Sequence, residues 1–300
     1  MPSAYCGIDF GTTNSSAAII TDDGIRVLEL DRENDNPQSL PSLLYISREG
    51  ERIVGRKAAT TFIERNVDRE VVVKQVDLGI HIHGYVGGEG DNEYGSAPRK
   101  DGSDHMEAVR ARALVEVNSP GRLFQSIKTS LRLREFRGTE VFGRPYQIEE
   151  LTSLIIRRIK DALDEAAGEP VRTAVFGRPV RFSKHEEEDR VAERRLETAA
   201  RLAGFRDVVF FYEPVAACVE YAVQTDLRQR LMVVDIGGGT FDVCIMEFGK
   251  AADPAARLAE SRILGIAGLP VAGDAIDREI TRAKVFPLLG SKSRYGPSVL

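Results

Sequence analysis

The chain has 300 residues, of which 42% are hydrophobic, enough for the core of one large domain or two ordinary ones. Its net charge of −5 is mild, so we expect no nucleic-acid surface, which needs a clustered basic excess. The three cysteines, Cys6, Cys218 and Cys244, lie far apart in apolar contexts and are predicted to be reduced core residues.

The sequence carries no secretory signal pattern at its start and no apolar run as long as a membrane helix. We therefore expect a cytoplasmic protein without membrane contact.

The first part of the chain is predicted to form short strands and one helix. Turn residues separate four apolar runs, as in an antiparallel meander: AYCGIDF (4–10), SSAAIIT (15–21), IRVLEL (25–30) and SLLYIS (42–47). A helical pattern follows at 55–66. Residues 77–104 are rich in Gly, Asp and His and predict a long loop or an irregular hairpin.

Helices and strands alternate from residue 147 onwards. Helical spacing predicts helices over 148–168, 185–204 and 213–223, the first two ending at glycines. Strands are predicted at 173–177 and 208–212. This order predicts a mixed sheet flanked by helices.

An acidic bend occurs twice in the chain. In GIDFGTTNSS (7–16), Asp9 ends an apolar strand, Gly11 follows, and hydroxyl side chains come next. LMVVDIGGGTFDVCIME (231–247) repeats this pattern, with Asp235 aligned to Asp9 and Gly237 to Gly11. The repeat predicts two related lobes, each pointing its bend into the cleft between them.

The composition of these bends suits a polyphosphate. Successive backbone N–H groups and threonine hydroxyls can bind phosphate oxygens, and an aspartate at each strand end can hold Mg²⁺ through water. The first bend alone is typical of an ordinary hairpin, whereas three consecutive glycines between strands need a specific reason. No Walker P-loop pattern occurs in the sequence.

Three motifs resemble those of a known family. GIDFGTTNS, DIGGGTFDV and EPVAACVEYA resemble the two phosphate motifs and the connecting motif of the heat shock protein 70 family, the DnaK-like molecular chaperones of the actin-like ATPase superfamily. VGRKA, LFQSIKTSLR, AVFGRPVRF, RLAGF and AGDAID follow in the expected order. The insertion around residues 77–118 suggests a divergent bacterial branch whose client is unassigned.

The resemblance implies an α/β, two-lobed actin-like ATPase (ribonuclease H-like) fold. Lobe I would span 1–224, with its core at 1–38 and 148–224 and an inserted subdomain at about 39–147. Residues 225–300 would begin lobe II, leaving that lobe incomplete. The rest of the lobe, the linker and the substrate-binding domain are expected to follow in a longer native chain.

The resemblance also implies roles for individual residues. The expected cofactors are ATP or ADP and Mg²⁺, and the expected partners are client polypeptides and co-chaperones of a monomer. The implied catalytic residues are Lys128, Glu213 and Asp235, and the implied metal-holding acids are Asp9, Asp235 and Asp242. The implied nucleotide-binding residues are Gly11, Thr12, Thr13, Asn14, Gly237, Gly238, Gly239, Thr240 and Gly273.

Simpler interpretations stand beside two of these roles. Without the resemblance, Lys128 fits a solvated helix face among arginines. Glu213 fits a first-turn acid that interacts with the helix dipole.

The pattern departs from the family at two further places. Ala272 stands where the family usually has glycine, next to Gly273. The family's VPAYF is GRPVRF here, which keeps Pro179 but changes its neighbours Arg178 and Arg181. The resemblance implies that this proline belongs to the relay that links nucleotide state to a partner domain.

Three functions are compatible with these features. The leading hypothesis is a Mg²⁺-dependent ATPase domain that switches conformation with nucleotide state. A non-hydrolysing nucleotide sensor or scaffold and an actin-like sugar kinase are the alternatives.

Overall fold

The structure is a computed structural model of the chain and describes residues 5–21, 24–86, 105–224 and 229–291. The chain divides into two compact units, one formed by residues 1–64 and 121–300 and the other by residues 65–120. Among the described residues, the larger unit contains four sheets and the smaller unit contains one, so the fold is mixed α/β.

The strands are β1 (Tyr5–Phe10), β2 (Asn14–Thr21), β3 (Gly24–Val27), β4 (Leu40–Pro41), β5 (Leu44–Ser47), β6 (Arg52–Val54), β7 (Val73–Val86), β8 (His105–Glu116), β9 (Gly121–Phe124), β10 (Gly138–Val141), β11 (Arg144–Gln147), β12 (Thr173–Arg178), β13 (Asp207–Tyr212), β14 (Arg230–Ile236), β15 (Phe241–Glu247) and β16 (Arg262–Leu269). The helices are α1 (Arg56–Asn66), α2 (Ile127–Ser130), α3 (Ile148–Ala167), α4 (Glu186–Ala203), α5 (Glu213–Gln224), α6 (Pro254–Glu260) and α7 (Gly273–Ile280), followed by a π-helical turn, Thr281–Val285.

The N-terminal sheet is mixed and has the strand order β13-β12-β1-β2-β3, with β4 paired to β2. Strands β1, β12 and β13 run parallel, whereas β1, β2 and β3 are antiparallel. One face packs under α3 and α4 in a core that includes Phe10, Ile19, Ile155, Phe176 and Leu196. This confirms the predicted mixed sheet flanked by helices.

Helices α3 and α4 end at the two glycines that were predicted to terminate them, Gly168 and Gly204. Gly168 and Gly204 take left-handed backbone angles, with φ of 70° and 109°, that other residues rarely adopt. The amide of Gln147 donates to Glu150 Oε2 at 2.7 Å and caps the start of α3.

The predicted N-terminal meander is wrong in two places. The strand expected over 25–30 ends at Val27, because the amides of Leu28 and Leu30 donate to the carbonyls of Ala17 and Pro37 and the chain turns into the core. The strand predicted at 42–47 does not extend the meander. It forms a separate three-stranded sheet with β6 and β9, in the order β6-β5-β9.

The C-terminal sheet is antiparallel, with the order β14-β15-β16. Helix α5 covers one face through a small core that contains Cys218 and Cys244. The other face exposes Met232, Val234 and Ile236 at 61%, 46% and 63%, as expected for uncovered apolar strands. Cys6, Cys218 and Cys244 are buried free thiols, which confirms the prediction of reduced core cysteines.

The smaller unit contains an antiparallel hairpin of β7 and β8 whose register shifts between Asp77 and His81. Of the two alternatives predicted for 77–104, a long loop or an irregular hairpin, the structure shows the hairpin over 77–86, and residues 87–104 lie outside the described part. No helix in the described ranges is long and apolar enough to cross a membrane. The predicted lobe boundaries stay predictions.

Candidate functional site

The first acidic bend, residues 11–13, connects β1 to β2 and is fixed by Ser42. The Ser42 hydroxyl donates to the Gly11 carbonyl at 2.9 Å, and its amide donates to the Thr13 carbonyl at 2.8 Å. Asn14 begins β2 directly after the bend. Ser42 therefore holds the backbone of the bend in place without any ligand.

The second acidic bend, residues 237–240, connects β14 to β15 and is closed by a hydrogen bond from the Gly237 amide to the Thr240 carbonyl at 3.0 Å. Helix α7 begins against it, because the amides of Gly273 and Asp274 donate to the carbonyls of Gly237 and Gly238 at 3.0 and 2.8 Å. The structure thus places Gly273 beside the second bend.

The two bends lie against each other. A Cβ added to Gly238 would lie 2.6 Å from Thr13 Oγ1, and a Cβ added to Gly239 would lie 2.8 Å from Thr12 Oγ1. Side chains at these two positions would therefore overlap the threonine hydroxyls. The glycines allow hydroxyl and backbone donors from both bends to converge in one place.

Lys128 and Glu213 form a largely buried ion pair beside the bends. Lys128 lies in α2, Glu213 begins α5, and Lys128 Nζ is 2.9 Å from Glu213 Oε1. Their side chains are 6% and 14% exposed. The solvated-face interpretation of Lys128 is therefore wrong, and the dipole interaction alone does not account for Glu213.

Three carboxylates near this pair hold their protons unusually tightly. Desolvation and, after it, the negative charge of Glu213 raise the pKa of Asp9 to about 6, although the positive charge of Lys128 opposes the shift. Desolvation, followed by Glu213, also raises the pKa of Asp235. Desolvation raises the pKa of Asp242 to about 6, against hydrogen bonds from Val180 and Thr240.

Asp242 joins the C-terminal sheet to the segment after Pro179. Its side chain is buried, and Oδ1 accepts a hydrogen bond from the Val180 amide at 2.8 Å. The negative charge of Asp235 contributes to the raised pKa of both Asp9 and Asp242. Asp235 thus interacts electrostatically with both of the other predicted metal-holding acids, and Asp242 is in addition engaged in a structural contact.

Within the described part of the chain, no group of three or more acidic, histidine or cysteine side chains is arranged to ligate a metal directly. Two carboxylates that oppose each other's ionisation fit a divalent cation held through its water shell, because the cation would offset their repulsion. The assignment of Asp9, Asp235 and Asp242 to Mg²⁺ stays a prediction.

Two cavities adjoin the bends. The larger one, about 550 Å³, has the volume of a small-molecule site and is lined by residues that include Thr12, Thr13, Asn14, Ser126 and Asp274. The smaller one, about 10 Å³, lies between Lys128, Arg132 and Thr240. It has room for about one water molecule.

Sequence reasoning missed three residues at this site. Ser126 takes a left-handed backbone angle, φ 53°, and its hydroxyl is 3.2 Å from Asp274 Oδ2. Arg132 lines the smaller cavity. Ser126 and Arg132 lie in LFQSIKTSLR and Asp274 lies in AGDAID, but the resemblance implied no role for any of the three.

Converging amides, hydroxyls and a lysine beside carboxylates define a candidate anion-binding site on a mixed α/β scaffold. Comparisons with known proteins extend this description. Residues 127–252 match the family model described as Hsp70 protein.

Two curated chaperones are similar to most of the chain. It is 28% identical over 243 residues to chaperone protein dnaK3 of Thermosynechococcus vestitus, a match covering 81% of this chain and 30% of that protein. It is 29% identical over 242 residues to chaperone protein dnaK1 of Prochlorococcus marinus, covering 80% and 30%. The chain thus spans about 30% of the length of these relatives.

The family-model match and the two relatives support an Hsp70/DnaK-like family member. This confirms the resemblance read from the three motifs, and the actin-like ATPase fold associated with the family agrees with the mixed α/β architecture.

Proposed function

We propose that the chain is the ATP-binding and ATP-hydrolysing domain of a DnaK-like chaperone, with a two-lobed actin-like fold. The N-terminal sheet would belong to lobe I and the C-terminal sheet to lobe II. The observation that carries the proposal is the contact between the two glycine-containing bends beside the Lys128–Glu213 pair.

The bends would hold the phosphates. Backbone amides and the hydroxyls of Thr12, Thr13 and Thr240 supply donors from two sides. Mg²⁺, when bound, would neutralise phosphate charge, and Asp9 and Asp235 would hold it through water. The remaining residues proposed to contact the nucleotide are Gly11, Asn14, Gly237, Gly238, Gly239 and Gly273.

Lys128 and Glu213 would act at the bond that breaks. The lysine would stabilise negative charge on the terminal phosphate, and the glutamate would orient the attacking water and accept its proton. Phosphoryl transfer depends mainly on positioning and charge neutralisation, and a lysine and a carboxylate can supply both.

A nucleotide sensor or scaffold without hydrolysis is the second candidate, and the same ion pair favours it. Glu213 already engages Lys128 at 2.9 Å, and the cavity beside them is only about 10 Å³. If nucleotide binding did not separate the pair, Lys128 would stay neutralised by Glu213 and the phosphate would not be cleaved.

Conformational switching, client and co-chaperone binding and a cytoplasmic setting belong to this proposal. They rest on the family resemblance.

The test is single-turnover ATP hydrolysis with Mg²⁺ in the wild type and Lys128→Ala, with Lys57→Ala as the control for loss of one lysine. Lys57 lies on the exposed face of α1. We expect Lys128→Ala to slow cleavage by about 100-fold, near 2.7 kcal/mol of barrier, with ATP still bound. Equal and negligible cleavage in all three proteins, with binding retained, would support the sensor instead.

A further inference from the structure

Arg132 has a position that the family motifs do not explain. It follows the short helix α2, and Nη1 donates to the Phe182 carbonyl at 3.1 Å and to the Pro270 carbonyl at 2.9 Å. Phe182 belongs to the segment after Pro179, and Pro270 follows the last strand of the C-terminal sheet. One guanidinium nitrogen therefore links the segment after Pro179 to the end of the C-terminal sheet, which are called here the two halves of the site.

The rest of this guanidinium is available. Its five N–H groups can make five hydrogen bonds, and Nε and Nη2 have no partner among the described residues. Both bonds that it makes go to neutral carbonyls, and no carboxylate in the described part of the chain lies within ion-pair distance. Its positive charge is thus not compensated by a neighbouring anion.

Arg132 shares its cavity with the proposed catalytic groups. The cavity of about 10 Å³ is lined by Thr12, Lys128, Thr129, Arg132, Phe182, Gly239 and Thr240. In the same site, Lys128 is paired with Glu213, and Asp9 and Asp235 add negative charge. A terminal phosphate would therefore meet too little free positive charge if Lys128 acted alone.

We propose that Arg132 is a second phosphate-binding cation, which donates its free N–H groups to the terminal phosphoryl group of ATP. The inference rests on the proposed function. A guanidinium fork matches phosphate oxygens in pairs, and an arginine at the transferred phosphoryl group is a known way to stabilise the charge that develops there.

The covalent step remains that of hydrolysis. The water oxygen forms a bond to the γ-phosphorus, the bond from that phosphorus to the β–γ bridging oxygen breaks, and ADP takes the electron pair. The water proton passes to Glu213. Arg132 neither gains nor loses a proton.

The size of the cavity sets a requirement. A phosphoryl group is larger than one water, so Gly239 must move away from Thr12 when the group enters. Arg132 would then exchange its bond to the Pro270 carbonyl for bonds to phosphate oxygens. The contact between the two halves of the site and the binding of the terminal phosphate would thus use the same guanidinium.

The test compares MgATP and MgADP affinities, by calorimetry, for the wild type, Arg132→Ala and Arg132→Lys. Arg134→Ala is the matched control, since Arg134 is exposed and pairs with Glu187 at 2.9 Å. We expect Arg132→Ala to weaken ATP binding by about 10-fold or more and ADP binding by less than about 3-fold. Arg132→Lys should lose less, and Arg134→Ala should match the wild type.

Single-turnover cleavage should fall by about 100-fold in Arg132→Ala if the arginine also acts on the transferred group. Equal loss of ATP and ADP affinity, or none, would overturn the proposal and leave Arg132 as a contact between the two halves. A wild type that binds ATP without cleaving it would contradict hydrolysis, but the affinity ratio would still decide the role of Arg132. A wild type that binds neither nucleotide would overturn both proposals.

Discussion

At the scale of single residues, the buried pair of Lys128 and Glu213 dominates the electrostatics of the site. The two side chains are 85 positions apart in sequence and almost excluded from water. Removing two charges from water costs several kcal/mol each, and the attraction between the two paired charges offsets much of that cost. Each charge therefore lowers the free-energy cost of burying the other.

This dependence gives a stability prediction. Glu213→Ala should lower the free energy of unfolding by about 3 kcal/mol, because it removes the only carboxylate that forms an ion pair with the buried Lys128 ammonium in the described part of the chain. The double variant Lys128→Met with Glu213→Leu should recover most of the loss, because it removes both charges and keeps apolar volume. Urea unfolding measures both values. A double variant at least as unstable as Glu213→Ala would contradict the account.

Asp242 provides the second residue-scale case. Its buried carboxylate accepts from the Val180 amide, yet desolvation outweighs this bond and raises the pKa to about 6. The folded chain thus favours the neutral form of Asp242 more strongly than the unfolded chain does. Its stabilising contribution is fully present below the unfolded pKa near 3.8 and is lost as pH rises through about 6.

Asp242→Asn should therefore flatten the pH dependence of stability without Mg²⁺ or nucleotide. The amide keeps an oxygen for the Val180 bond but is never charged. We expect the variant to gain about 3 kcal/mol over the wild type at about pH 7.5 and to lose most of that advantage near pH 4. Urea unfolding across this range is the measurement. Parallel curves for the two proteins would show that the Asp242 pKa is ordinary.

At the scale of elements, the site depends on close packing between the segment after Pro179 and strand β16. Gly268 lies in β16, and a Cβ there would come within 2.4 Å of Asp242 Oδ1 and 2.9 Å of Val180 Cβ. The absence of a side chain lets the C-terminal sheet rest on that segment. The segment after Pro179 is thus joined to the C-terminal sheet both by close packing at Gly268 and by the hydrogen bond from the Val180 amide to Asp242.

Gly268→Ala should lower the free energy of unfolding by about 2 kcal/mol, since the methyl group displaces the Asp242 carboxylate from the Val180 amide. Gly265→Ala, in the same strand, is the control because a Cβ there has nothing within 4 Å. Chemical unfolding of both variants checks this. Similar stability of the two would mean that the strand backbone moves to accept the methyl group.

The elements were predictable where the signal is local. Helices α3 and α4 follow from apolar spacing and end at Gly168 and Gly204, and both acidic bends follow from the repeated strand pattern. The strand at 25–30 was overextended, because Leu28 and Leu30 are buried by a turn of the chain and not by a sheet. Apolar character predicts burial but does not show which element supplies it.

At the scale of the whole molecule, the site exists because distant parts of the larger unit meet. The two bends are the two copies of the repeated motif, at residues 11–13 and 237–240. Lys128 lies between them in sequence, in α2, and Glu213 begins helix α5. Motif reasoning selected these residues. It could not show that Glu213 binds Lys128, nor that Arg132 spans both halves, because both depend on tertiary contacts without a sequence signature.

The central claim is that the two acidic bends form one phosphate site. The most direct measurement is calorimetric titration of MgATP into the wild type, Gly238→Ala and the control Gly265→Ala. A Cβ at Gly238 would press on Thr13 Oγ1 at 2.6 Å, so we predict at least about 10-fold weaker binding for Gly238→Ala and unchanged binding for Gly265→Ala. Equal ATP affinity in all three folded proteins would contradict the claim, because the second bend would then not contact the nucleotide.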